Sequence, residues 1–233
     1  MCLTCRCRRT ARFAALQEDD YLANKETLEA VKKAITLAPQ RKFEESVEVA
    51  INLRDVDLSV PKNRIQEDII LPKGRGKTIK VCLFAGGESA LKARESADLV
   101  ISPDEFNKYM DDKKNAKSLA REYDYFIAEA PLMAAIGRRM GVVLGPRGKM
   151  PKPLQPGSDP LPVISTLRRT TSVRTRERKT FQAHVGTRSM KPEDLADNID
   201  AVLNRVIGRL DKGRINLESA YVKTTMGPAV RII

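Results

Sequence analysis

The sequence is poor in the residues that most often carry catalysis. Its 233 residues include one histidine, no tryptophan and few aromatic residues. A Ser/His/Asp or Cys/His arrangement therefore has only one possible base, His184, which lies in an alternating strand-like pattern typical of a structural role. The carboxylates lie on helical or alternating faces where solvation explains them, and none forms an evident acid/base pair. We predict that the chain is not an enzyme.

Cysteine is also scarce, and three of the four cysteines, Cys2, Cys5 and Cys7, lie in the first seven residues. This spacing looks like half of a zinc knuckle, but a structural zinc site needs four ligands and no second cysteine pair follows. Cys82 and His184 lie in apolar strand-like stretches. The sequence therefore predicts no metal site, no cofactor and no disulfide framework, as is usual in a reducing compartment.

Long apolar runs are missing. No stretch approaches the roughly 18 to 20 apolar residues that a membrane span needs. The segment before Glu18 contains arginines but no apolar core of a secretory signal. We expect no membrane partner, and we expect residues 1–24 to form a flexible arm whose arginines touch phosphates.

Positive charge is abundant and concentrated. The formal net charge is +12, and residues 138–179 carry eleven Lys or Arg against two acidic residues. Four more arginines lie in the first 13 residues without an acid, so the rest of the chain is nearly neutral. Such concentration favours a polyanionic partner, most often nucleic acid, with a membrane surface or a merely solvated basic face as alternatives.

One short stretch, GRGKT at residues 74–78, looks like the end of a phosphate-binding loop. That loop reads G-x-x-x-x-G-K-[ST] and lies between a strand and a helix. Gly76, Lys77 and Thr78 match its end, but the first glycine is replaced by Leu71 and a strand-like run follows. The sequence predicts no nucleotide site here, and a small nucleotide-dependent α/β enzyme remains the alternative function.

The middle of the chain alternates strand and helix patterns. The apolar runs IKVCLFAG, DLVIS and DYFIAEA are separated by the helical stretches ESALKARESA and PDEFNKYMDDKKNAKSLAREY, and a further helix opens at Pro131. Parallel strands need such crossovers. We predict a doubly wound, Rossmann-like α/β domain.

The two flanks read as α+β. A helix is predicted from Lys25, a half-buried strand over KFEESVEVAINL, a helix over LPVISTLRRT, a hairpin from SVRTRE to KTFQAHVG, a long helix from Pro192 and a final strand over ESAYVKTTMGPAVRI. Neither flank has enough apolar surface for a domain of its own, so the two should form one discontinuous domain.

The domain boundaries follow from the glycine and proline clusters. Domain I is predicted over 25–73 and 157–233, and the inserted domain II over 74–156. Hinges are predicted near 72–77, where Gly74 and Gly76 supply backbone freedom, and near 150–160.

Four stretches resemble the archaeal form of the large-subunit ribosomal protein L-one family: RKFEESVEVAINL, LPKGRGK, LGPRGKMPKP and YVKTTMGPAVRI. The resemblance runs from about Lys25 to the C-terminus. It implies a two-domain protein of the cytoplasmic ribosome, monomeric outside it, whose discontinuous domain binds the mobile stalk of the large-subunit rRNA. It also implies assistance to exit-site tRNA movement and release, and repression of translation by binding the leader of its own mRNA.

The resemblance also implies RNA-contact positions. They are Lys42, Phe43, Ser46, Glu48, Ser219, Thr224, Thr225, Met226 and Gly227. Hydroxyls, exposed apolar side chains and a glycine suit recognition of RNA shape and 2′-OH groups. On charge grounds, Arg174, Arg176, Arg178 and Lys179 are candidates for phosphate contacts. The alternative is that Phe43 is a core residue and that Thr224 and Thr225 are ordinary strand residues.

Overall fold

The computed structural model describes residues 25–60, 63–94, 96–103, 105, 113–175 and 178–233. The predicted arm with its three cysteines and Arg176 lie outside these ranges. The chain divides into two compact units. Unit 1 comprises the described residues up to Lys77 together with Arg169–Ile233, and unit 2 comprises Thr78–Arg168. Within the described ranges, every helix is too short or too polar to cross a membrane.

The bounds of the helices and strands are as follows. In chain order they are α1 (25–37), β1 (Ser46–Leu53), β2 (Gln66–Ile70), β3 (Val81–Phe84), α2 (Gly87–Ala93), β4 (Leu99–Ile101), α3 (Lys113–Glu122), β5 (Tyr125–Glu129), α4 (Ala130–Leu144), β6 (Lys152–Leu154), α5 (Pro160–Arg168), β7 (Thr170–Arg174), β8 (Thr180–Thr187), α6 (Pro192–Arg209), a 3-10 turn (Gly213–Asn216), β9 (Leu217–Thr224) and β10 (Val230–Arg231).

Unit 1 is built on an antiparallel four-stranded sheet in the order β10-β9-β1-β8. In β1 the side chains alternate, with Val47, Val49 and Ile51 buried and the intervening residues half-buried, as the sequence pattern predicts. The apolar stripe of α6 and two turns of α1 pack into the same core. One face of the sheet is therefore buried, and the opposite face carries the polar side chains.

Three expectations for the flanks need correction. The expected hairpin does not form, because β7 pairs with β2 in a separate two-stranded sheet whereas β8 pairs with β1. β2 itself was not predicted. The expected single final strand is two strands, since the chain turns after Thr224 and β10 pairs back onto β9. The sheet pairings depend on residues far apart in sequence, which no local pattern encodes.

Unit 2 confirms the predicted doubly wound architecture. Its sheet has the order β4-β3-β5-β6, and all three strand pairs are parallel. Cys82 and Phe84 of β3 pack with residues of α3 and α4, whereas Val81 and Leu83 pack with residues of α2 and α5. Both faces of the sheet are thus covered, which explains why β3 reads as a continuous apolar run.

The stretch from 150 to 168 differs from the expectation of a hinge followed by a domain I helix. Residues 152–154 form β6, an edge strand that accommodates Pro153, and it pairs with β5. Helix α5 belongs to unit 2, because Ile164 and Leu167 are buried against β3 and β5. The second passage between the units is at Arg168 and Arg169 rather than near 150–160.

Candidate nucleic-acid interface

The open face of the unit 1 sheet is lined with polar side chains. Strand register places Glu48 of β1 between His184 and Lys223, and Asn52 between Thr180 and Ser219. We call the whole set the polar face, which consists of Ser46, Glu48, Asn52, Thr180, Gln182, His184, Ser219, Tyr221, Lys223 and Arg231. It offers donors, acceptors and an aromatic ring to a large polar partner.

Ser219 lies at one end of the polar face and is mostly buried, with 6% of its surface exposed. Its Oγ accepts a hydrogen bond from Asn52 Nδ2 at 2.8 Å. This bond crosses from β1 to β9 and orients the amide of Asn52. The predicted contact Ser219 is therefore hydrogen-bonded to Asn52, a residue that the sequence pattern did not single out.

A tight turn at the other end of the polar face joins Thr225 to the start of β1. The backbone N–H of Thr225 donates to the carbonyl of Ser46 at 3.0 Å, and the N–H of Ser46 donates to Thr225 Oγ1 at 3.1 Å. Met226 then projects outward with 56% of its surface exposed. Ser46, Thr225 and Met226, all predicted site residues, are brought together here.

Thr224 and Gly227 have a structural part in this turn. The Thr224 side chain is fully buried, because it lies opposite Val47 on the core side of the sheet. Its hydroxyl is therefore not at the surface, and the alternative of an ordinary strand residue describes Thr224 better than a direct contact does. A Cβ at Gly227 would overlap Thr224 Oγ1 and lie 3.2 Å from the Ala38 Cβ. Glycine is thus required by close packing.

The segment between α1 and β1, residues 39–45, carries two further predicted contacts. We call it the strap. Lys42 and Phe43 in its middle are exposed, and Phe43 has 52% of its surface accessible. The alternative of Phe43 as a core residue is wrong. The strap leads into Ser46, the first residue of β1, and Ala38 just before the strap packs on Gly227. Phe43 and Met226 therefore lie near the same end of β1.

Two of the candidate phosphate contacts, Arg178 and Lys179, lie at the opposite end of β1, and Arg174 is the last residue of β7 in the two-stranded sheet. Arg174, Arg178 and Lys179 are all exposed. The carbonyl of Lys179 accepts a hydrogen bond from the N–H of Leu53, the last residue of β1. Arg178 and Lys179 are therefore separated from Met226 by about the length of the strand, roughly 25 Å for eight residues.

The stretch that resembled a nucleotide loop is bound to the edge of the sheet. Gly74 and Gly76 have φ values of 77° and 72°, a conformation that favours glycine. The carbonyl of Gly74 accepts a hydrogen bond from Asn198 Nδ2 at 2.9 Å. Arg75 Nε donates to His184 Nδ1 at 3.1 Å, so the Arg75 side chain is also attached to β8.

The environment of His184 keeps it neutral. Burial, with a smaller contribution from the positive charges of Arg75 and Lys77, lowers its pKa to about 4. Because Nδ1 accepts the hydrogen bond from Arg75, the proton of the neutral ring is on Nε2. A charge at this position would be repelled by the arginine that packs on it.

This geometry predicts a contribution of His184 to the pH dependence of stability. In the unfolded chain His184 has a pKa near the ordinary 6.5 and is protonated below that pH, whereas in the folded chain it stays neutral down to about pH 4. Acidification through that window therefore lowers the free energy of unfolding. We expect His184→Gln, whose amide oxygen still accepts from Arg75, to lose less stability than the parent between pH 7.5 and 5 in denaturant titrations. Equal losses in both proteins would contradict the assignment.

The described residues offer little chemistry beyond binding. Burial raises the pKa of the Cys82 thiol to about 12, which makes it a poor nucleophile. Within the described ranges, no group of three or more His, Cys, Asp or Glu is arranged to hold a metal ion. The arrangement suits recognition of a polyanion through hydroxyls, amides, cations and exposed apolar side chains.

Several residues of the polar face were missed by the sequence analysis. They are Asn52, Thr180, Gln182, Tyr221, Lys223 and Arg231. Their only signal is their alternate position in strands, and that alternation does not say which face stays open. The cross-strand register was needed to place them beside the residues that the resemblance supplied.

Comparison with known proteins gives consistent matches along most of the chain. Residues 31–228 match the model of the "Ribosomal protein L1p/L10e family". The chain is 52% identical over 213 residues to "Large ribosomal subunit protein uL1" of Methanocella arvoryzae, which covers 91% of this chain and 100% of that protein. Proteins of the same name from Thermoplasma volcanium (51% identity, 88% of this chain and 93% of the relative) and Haloferax volcanii (48%, 88% and 97%) are also similar.

Proposed function

We propose that this chain, which belongs to the ribosomal protein L1p/L10e family, is a constituent of the large subunit of the cytoplasmic ribosome and binds its rRNA through unit 1. The family predicted from the four sequence stretches is confirmed. The relatives are ribosomal proteins rather than enzymes, which agrees with the prediction of a non-catalytic chain. The alternative of a nucleotide-dependent enzyme is not supported.

The observation that carries the RNA-binding proposal is the exposure of Phe43, three residues before β1 begins, and of Met226, in the turn that is hydrogen-bonded to the first residue of β1. Large apolar side chains are costly to leave in water, and here they stand beside hydroxyls and cations. Single-stranded or bulged RNA offers sugar and base faces for such side chains and 2′-OH groups for Ser46 and Thr225. We propose that the RNA extends from this end along β1 toward Lys179 and contacts the rest of the polar face.

The finer parts of the function are proposals that rest on the resemblance. The rRNA segment is proposed to be the mobile stalk near the tRNA exit site, and the chain to assist movement and release of exit-site tRNA. Binding of a similar RNA structure in the leader of its own mRNA would repress translation. Outside the ribosome the protein is proposed to be a monomer.

The two passages between the units are proposed to be hinges. Gly74 and Gly76 supply backbone freedom just before unit 1 ends at Lys77, and Arg168 with Arg169 forms the second passage. Paired passages let the units change their relative orientation while each core stays intact.

The proposal is tested by titrating the protein with a transcript of archaeal large-subunit rRNA at several salt concentrations. Met226→Ala is expected to weaken binding by about tenfold, because an apolar side chain that becomes buried on binding contributes about 1 to 2 kcal/mol. Its salt dependence should match that of the parent, since no charge is removed.

Two matched variants complete this test. Ile70 has 57% of its surface exposed and lies in the separate sheet of unit 1, so Ile70→Ala should bind as the parent does. Arg178→Gln should reduce the slope of log affinity against log salt concentration by about one. It should weaken binding to different RNA sequences by similar amounts. If Met226→Ala retained full affinity, the turn would not be part of the interface.

A further inference from the structure

Arg188, the first residue after β8, makes a dense set of contacts with the strap and with the end of α1. Its Nη1 donates to Glu45 Oε2 at 2.9 Å and to the carbonyl of Pro39 at 3.2 Å. Its Nη2 donates to the carbonyls of Ala38 and Ile35 at 3.4 and 3.5 Å. One guanidinium thus joins three backbone carbonyls to a carboxylate.

These contacts satisfy groups that would otherwise be costly. The last carbonyls of a helix have no partner within the helix and carry partial negative charge, which a cation stabilises. The Glu45 carboxylate is only 1% exposed and needs a counter-ion. The backbone N–H of Arg188 also donates to the carbonyl of Glu45 at 2.9 Å, so its main chain and side chain hold the same residue.

The neighbouring residue extends this support to the middle of the strap. Ser189 Oγ donates to Glu44 Oε1 at 2.5 Å and is hydrogen-bonded to Thr187 Oγ1 at 2.9 Å. Thr187 is the last residue of β8. The connection after β8 therefore holds Glu44 and Glu45 of the strap by hydrogen bonds. Phe43 comes immediately before these two residues.

We propose that Arg188 is a positioning residue for RNA recognition, which fixes the strap so that Lys42 and Phe43 are presented beside Met226 before RNA arrives. This inference rests on the proposed RNA-binding function. The guanidinium is directed at the protein's own carbonyls and at Glu45, so its effect on RNA passes through the strap. A preorganised strap spares the interface the entropy cost of ordering a loop on binding.

A purely stabilising role would have a different signature. Phe43 and the rest of the strap lie outside the apolar core formed by β1, β9 and α6. Loss of the Arg188 contacts should therefore loosen residues 39–45 locally while the core stays folded. Local loosening and global unfolding are distinguishable at temperatures well below the unfolding transition.

The experiment compares the parent with Arg188→Gln, Arg188→Lys and the double variant Glu45→Gln/Arg188→Gln, which leaves no buried charge unpaired. Affinity for the large-subunit rRNA transcript is measured at low temperature and several salt concentrations, with chymotrypsin cleavage after Phe43 as a local readout. We expect Arg188→Gln and the double variant to lose about tenfold in affinity and to be cleaved faster, with an unchanged salt slope. Lysine should restore only part of the affinity, because it lacks the planar fork.

Arg205→Gln is the matched control. Arg205 lies on α6 of the same unit, and its Nε donates to Glu67 Oε2 of β2 at 2.9 Å. Arg205→Gln therefore also removes one positive charge, but at a place away from the strap, and this variant should bind RNA as the parent does. The proposal would be overturned if Arg188→Gln and the double variant both bound RNA with the affinity of the parent. It would also be overturned if their binding depended less on salt than that of the parent, or if chymotrypsin cleaved them after Phe43 no faster than it cleaves the parent. If the parent failed to bind the transcript, the proposed function would fail, while the cleavage rates would still decide whether Arg188 positions the strap.

Discussion

Replacing Asn198 by aspartate is expected to lower the free energy of unfolding of unit 1 by about 3 kcal/mol or more. The Asn198 side chain is fully buried in α6. Its Nδ2 donates to the carbonyls of Gly74 and Val185 at 2.9 and 3.0 Å, and its Oδ1 accepts from the N–H of Lys73 at 3.1 Å. Aspartate cannot donate to the two carbonyls, and it would place a carboxylate against them.

Denaturant titrations followed by circular dichroism, combined with amide hydrogen exchange resolved by unit, measure this effect. Asn198→Ala should cost less than the aspartate variant, because it leaves the carbonyls unsatisfied without burying a charge. Asn204→Asp is the control on the same helix, where the side chain is exposed, and it should change stability by at most about 0.5 kcal/mol. An aspartate at 198 that was tolerated as well as the one at 204 would show that the three hydrogen bonds contribute little.

The same prediction bears on the segment that resembled a nucleotide loop. Asn198 holds Lys73 and Gly74 against β8, so hydrogen exchange at Gly74 should accelerate before the rest of unit 1 unfolds in Asn198→Ala. The lysine and glycines of this segment therefore have a positional role. They set where the chain leaves the edge of the sheet, which is what a passage between two units requires.

The parts of the fold that were predicted correctly are those with a strong local period. Strand β1 alternates and α6 repeats its apolar residues every three to four positions, so both were visible in the sequence. The alternation of strands and helices in unit 2 similarly predicted a parallel sheet. In each case burial of one face or of both faces leaves a pattern within a single stretch of chain.

The parts that were missed depend on distant partners. Strand β2 has the sequence QEDII and only one buried apolar residue, Ile69, so it forms because β7 pairs with it. Strand β6 contains Pro153 and reads as a loop, yet as the edge of a parallel sheet it tolerates the missing N–H. Helix α5 was predicted, but which core it joins depends on Ile164 and Leu167 meeting β3 and β5.

The candidate site divides in the same way. Composition predicted a polyanionic partner, and the resemblance supplied Phe43 and Met226, but neither told which side chains stay in solvent. The burial of Thr224 follows from the register of β9 against β1, whereas Phe43 and Met226 lie in the connections beyond these strands and are exposed. That register is a property of the folded sheet, because a shift of one residue would exchange the two faces.

Gly227→Ala is the second change for which we expect a large effect, because this glycine joins the fold to the site. Its Cβ would overlap the Oγ1 of Thr224, a buried β-branched residue that cannot rotate freely, and would press on the Ala38 Cβ at 3.2 Å. To relieve this overlap, either the turn must move away from β1, or α1 must move away from the sheet. Overpacking of this kind costs about 1 to 3 kcal/mol, and displacement of Met226 should lower rRNA affinity by about tenfold or more.

A double-mutant cycle tests whether this overlap is the cause. Within the described part of the chain, Thr224 Oγ1 has no hydrogen-bond partner, so Thr224→Ala removes the obstructing atom without breaking a bond. In the Thr224→Ala background, Gly227→Ala should cost much less stability and affinity than in the parent. Gly208→Ala is the control, since a Cβ there meets no atom within 4 Å and alanine favours the helix by about 1 kcal/mol. Equal costs of Gly227→Ala in both backgrounds would exclude the overlap with Thr224 as the cause. A loss of stability would then point to the contact with Ala38, whereas a loss of affinity alone would point to direct approach of the RNA to the backbone.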